Sequence, residues 1–66
     1  MKNSVKIERI AQNMAQGDLA STVNVSRQTI HAIESGKFIP STILSLKIAR
    51  ALGKTVEELF VLEETD

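Results

Sequence analysis

Four neighbouring side chains, Arg27, Gln28, Thr29 and His31, carry directional hydrogen-bonding groups and little apolar surface. A guanidinium donates through parallel N–H groups, a primary amide both donates and accepts, and an imidazole does either. Such a set suits the reading of flat polar edges and the gripping of anions. It does not suit bond breaking. The chain has one histidine and no cysteine, and it shows neither a glycine-rich phosphate loop nor an evident carboxylate pair, so no enzymatic reaction, cofactor or metal centre is expected.

These side chains need an element to hold them. Ser26 is a good N-cap and Ser35-Gly36 a good stop, which predicts a helix from Ser26 to about Glu34. At about 100° per residue, Arg27, Gln28, His31, Ala32 and Ser35 share an arc of roughly 140°, while Ile30 and Ile33 lie opposite. The isoleucines can bury against Leu19, Val23 and Val25 and leave the polar arc facing outward. An α-helix fits the major groove of B-form DNA, where arginine donates twice to guanine, glutamine pairs with adenine, and a small apolar group touches the thymine methyl. Arg27, Gln28 and Ala32 are therefore the candidates for base readout, and His31, on the same arc, is open between reading a base, donating to phosphate when protonated and standing exposed. Gln16, Ser26, Thr29 and Lys37 are the candidates for phosphate contacts, through the helix N-termini and a mobile positive charge. Glu34, which DNA would repel, is assigned a local structural hydrogen bond.

The charge pattern permits this. The 66 residues have a formal net charge of zero, yet residues 1–54 hold all eight basic side chains and three acids, a net of +5. The acidic Glu57, Glu58, Glu63, Glu64 and Asp66 follow. A basic body with an acidic end can favour a polyanion on one side. Without cysteine the chain has no disulfide framework, and no apolar run approaches the roughly 18 residues of a membrane span, so a single soluble domain over residues 1–66 in the cytoplasm is the expectation.

The remaining pattern is helical. Ile7, Ile10, Ala11 and Met14 form an amphipathic stripe that predicts a first helix over about 5–14. A second covers about 16–23, weakly started because Ala15 cannot cap and Gly17 sits in its first turn. Asn24 suits a left-handed turn residue. Ser41 caps a fourth helix that Gly53 ends, and its apolar residues, from Ile43 to Leu52, occupy more than one stripe. Thr55 and Glu58 form a capping box for a short fifth. The fold class is all-α, a compact five-helix bundle with room for a short C-terminal strand.

The stretch "QGDLASTVNVSRQTIHAIES" resembles the helix-turn-helix of phage Cro and repressor proteins, the XRE type. "IESGK" and the "LKIARALG" helix extend the similarity from about residue 5 to 60. Two positions depart from the pattern, Ala15 before the first glutamine and Asn24 at the turn. The resemblance implies a lambda-repressor-like fold, Arg27, Gln28 and His31 as recognition residues, and a two-fold dimer on a near-palindromic operator. Residues 55–63, with Val56, Phe60, Val61 and Leu62, are the expected dimer segment. A transcriptional repressor is the leading function. The alternative is a protein-interaction module, antitoxin-like or partner-binding, that uses the same helical surface.

Overall fold

Local hydrogen bonds set most element limits in the computed structural model, which describes residues 1–66. Five helices form, α1 (Val5–Ala11), α2 (Gln16–Val23), α3 (Arg27–Glu34), α4 (Thr42–Leu52) and α5 (Val56–Leu59). Ser26, Ser41 and Thr55 each accept a backbone N–H three residues on, at 3.1 Å in every case. These are the N-caps expected of such residues. Ala15 has no acceptor to offer, but the Asp18 carboxylate takes the Ala15 N–H at 3.0 Å, so α2 gains half of a reciprocal cap. At the other ends, Asn24 (φ 63°) and Gly53 (φ 68°) adopt the left-handed conformation that stops α2 and α4.

Two short strands join the chain ends, β1 (Lys2–Asn3) and β2 (Phe60–Val61), antiparallel, with Asn3 opposite Phe60. The C-terminal strand is the one for which the sequence leaves room; its partner at the N-terminus carries no sequence signal. Ser4 N–H continues the connection by donating to the Leu59 carbonyl at 2.9 Å.

One core of twelve apolar residues holds the helices, drawing Leu19, Ala20 and Val23 from α2, Ile30 and Ile33 from α3, and Leu44, Ile48, Ala49 and Leu52 from α4. Phe60, Leu59 and Val5 complete it. At about 25 cal/mol per Å² of apolar area removed from water, such burial is the main stabilising term in a small domain without staples. α2 packs on both α3 and α4 and so forms the floor on which α3 sits.

The expected face of α1 is corrected. Ile7 and Ile10 point to solvent, 69% and 54% exposed, while Val5 and Arg9, four residues apart, face inward. The helix also ends at Ala11, because Asn13 turns left-handed (φ 56°). An arginine occupies the inner face because each of its three guanidinium nitrogens finds an acceptor there. It donates to Glu34 at 2.7 and 3.1 Å and to the Met14 carbonyl at 2.7 Å. α4 likewise buries one stripe and leaves Ile43 and Leu46 exposed.

Candidate nucleic-acid interface

The helix-turn-helix unit is built by two opposed demands on α3. Ile30 and Ile33 have no exposed surface and pack with Leu19 and Val23, with half-buried Val25 at the edge of the cluster. Arg27, Gln28 and His31 are exposed on the other side. Burial of one side fixes the rod, so the polar side chains stand on a rigid base rather than on a loop. Ala32 is half-buried, and its carbonyl is occupied by the N–H groups of Lys37 and Phe38.

Gln16, from the first turn of α2, joins Arg27, Gln28 and His31 in lining one concave surface. The other expected contacts divide. Ser26 Oγ and Thr29 Oγ1 lie 2.9 Å apart at the start of α3, and Ser26 also caps the Thr29 N–H. Lys37 is exposed beyond Gly36 (φ 78°), in no ion pair, and it is not part of the concave surface.

Glu34 does more than the local hydrogen bond assigned to it. Its carboxylate is the far partner of Arg9, and its Oε1 also accepts from Gln16 Nε2 at 3.0 Å. One acid thus ties α1, α2 and α3 together. Burial alone would raise the Glu34 carboxyl, yet the hydrogen bonds from Arg9 and Gln16 and the charges of Arg9 and Lys6 outweigh it and hold the group below the ordinary carboxylate value. Glu34 stays ionised, and the charge of Arg9 offsets it, which lessens the repulsion of an anion at the neighbouring concave surface.

Lys6 is not among the residues that the sequence singles out. It joins Gln16, His31, Glu34 and Ser35 around a second small depression beside the first. No local pattern marks it, because it comes from α1 and reaches α3 only through the packing set by Arg9. Of the basic side chains, Lys54 is paired with Glu8 at 3.1 Å and Arg9 with Glu34. Arg27, Lys6, Lys37, Lys47 and Arg50 carry no ion pair.

The four residues expected at a dimer contact are separated by the fold. Phe60 is 9% exposed and belongs to the core, Val56 is half-buried against it, and Val61 and Leu62 are exposed. Val56 and Phe60 also edge an apolar groove with Ile39, Pro40 and Leu46.

The helix-turn-helix family model matches residues 5–59 of the chain. An uncharacterized HTH-type transcriptional regulator of Methanocaldococcus jannaschii is 47% identical over 66 residues, the full length of both chains. Another, YgzD of Bacillus subtilis, is 47% identical over 64 residues, 97% of each. Among solved structures, the restriction-modification controller protein C.AhdI from Aeromonas hydrophila superposes with a TM-score of 0.79 at 30% identity, covering 85% of each chain. The clp gene regulator ClgR from Corynebacterium glutamicum shares the fold, with a TM-score of 0.79 at 24% identity over 83% of this chain and 58% of that one. With the buried isoleucine pair, the left-handed turn at Asn24 and the outward polar arc on α3, these likenesses lead to one assignment: the chain belongs to the helix-turn-helix family of DNA-binding transcriptional regulators.

Proposed function

We propose that this chain binds double-stranded DNA sequence-specifically, as a two-fold dimer on a near-palindromic operator, and acts as a repressor by occluding a promoter. α3 lies in the major groove, with Arg27, Gln28 and His31 reading base edges and the Ala32 methyl within reach of a thymine. Thr29, Ser26 and the start of α2 at Gln16 meet phosphates, and Lys37 adds a flexible charge. The observation that carries the reading is the contrast across α3. Ile30 and Ile33 are wholly buried, and Arg27, Gln28 and His31 on the far side are exposed and free of the chain's own tail.

One helix contacts few bases. Two recognition helices about 34 Å apart read a longer site, and that supports the dimer. Val61 and Leu62 are the exposed apolar residues of segment 55–63 available for it, with Val56 and Phe60 reachable along the groove edge.

Selection from a randomised duplex pool tests the reading. The expected result is a near-palindromic consensus, and Arg27→Ala or Gln28→Ala weakens binding to it about 10- to 100-fold, each relaxing one base position. Steep salt dependence accompanies binding. No enrichment, or salt-insensitive capture of a protein with no duplex bound, would overturn it in favour of a protein-interaction module.

A further inference from the structure

Gln16 is a candidate for phosphate contact at the start of α2, and its amide nitrogen faces two side chains of its own protein. One N–H points at Glu34 Oε1, 3.0 Å away, and Nε2 also lies 3.5 Å from Nδ1 of His31. The orientation of the amide is not free. Turning it over would set its carbonyl oxygen against the Glu34 carboxylate, which Arg9 keeps ionised through an ion pair of 2.7 Å. A carboxylate accepts only, so it selects the NH₂ end of Gln16. An amide nitrogen donates only, so a hydrogen bond across that 3.5 Å has Nδ1 of His31 as its acceptor and leaves the ring hydrogen on Nε2.

We infer that Gln16 is a positioning residue, oriented by the Arg9–Glu34 pair, that fixes His31 in its Nε2–H tautomer. The inference rests on the DNA-binding reading for its consequence. His31 then offers the major groove a donor, which suits guanine O6 or N7, adenine N7 or thymine O4, and fails against the amino group of cytosine. Phosphate contact at the start of α2 passes to backbone N–H groups, since the amide is spent inside the protein.

The chain has one histidine, so its ring nitrogens give a single assignable set of ¹⁵N resonances. At about pH 8.5, where imidazoles are neutral, the free protein is expected to show the hydrogen on Nε2, and Gln16→Met, which keeps the bulk and loses the donor, shifts the ring toward a tautomer mixture. Identical spectra in the two proteins, or a hydrogen on Nδ1 in the unaltered chain, would overturn the inference.

On selected duplexes, His31→Ala and Gln16→Met are each expected to lose on the order of tenfold discrimination at the same base position. The double variant is expected to lose no more than either single one. Additive losses, or losses at different positions, contradict the coupling. A chain that binds no duplex removes the DNA reading, while the spectra of the free protein still decide the tautomer.

Discussion

The Nε of Arg9 lies 2.7 Å from Oε2 of Glu34, across 25 residues of sequence, and this pair joins the first helix to the end of the third. Their side chains are 9% and 3% exposed. Removing one partner strands the other's charge in the interior. Arg9→Ala and Glu34→Ala should each cost about 3 kcal/mol in urea unfolding, whereas Arg9→Met with Glu34→Leu should recover at least half of that loss. Equal losses in all three proteins would show that packing, not charge, is at stake.

Acid should loosen the same joint. The Glu34 carboxyl is held below its ordinary value of 4.5, so it binds a proton less readily in the folded chain than in the unfolded one. Its contribution is complete above about pH 4.5 and disappears as the pH falls through the lowered value. Glu58 and Asp66 are shifted in the same direction by hydrogen bonds at the surface and add slope of the same sign. Urea midpoints between pH 7 and pH 3 should therefore fall, and Glu34→Gln should flatten part of that fall.

Backbone demands at the two ends of α2 differ. Nothing stands within 4 Å of a Cβ built on Gly17, in the first turn of α2, so Gly17→Ala should stabilise the chain by about 0.5 kcal/mol. Asn24 at φ 63° is the opposite case. Asn24→Ala should cost about 1 kcal/mol and Asn24→Gly little, as thermal unfolding would show.

Charge contacts and base contacts should separate in the salt dependence of DNA binding. Lys37, outside the concave surface, should act on phosphate alone. Lys37→Ala is expected to weaken all duplexes alike and to lower the slope of log K against log salt by about 1. Gln28→Ala should leave that slope in place and alter base preference.

The proposed dimer draws on exposed apolar surface at Val61 and Leu62. Leu62 is 78% exposed and Val61 53%. Val61→Glu with Leu62→Glu should convert the protein to monomer in analytical ultracentrifugation at high micromolar concentration while leaving helical circular dichroism unchanged. An unaltered chain that sediments only as monomer would remove the dimer from the proposal.

What the sequence by itself determined were features governed by residues within four positions of one another. Ser26, Ser41 and Thr55 start helices through their own side chains, and Asn24 and Gly53 stop them through tolerance of a left-handed backbone. The 3.6-residue period then separates Ile30 and Ile33 from Arg27, Gln28 and His31, so the display face of α3 was legible without coordinates. Tertiary structure alone decided which face of α1 turned inward, since the choice of Val5 and Arg9 over Ile7 and Ile10 depended on a carboxylate 25 residues away. It also decided the fate of the Gln16 amide, the arrival of Lys6 beside His31 and the pairing of β1 with β2. Each of these joins groups distant along the chain, and an ion pair or a strand pairing leaves no periodic trace in a single sequence because its partner is specified only once the core has set the helices in place.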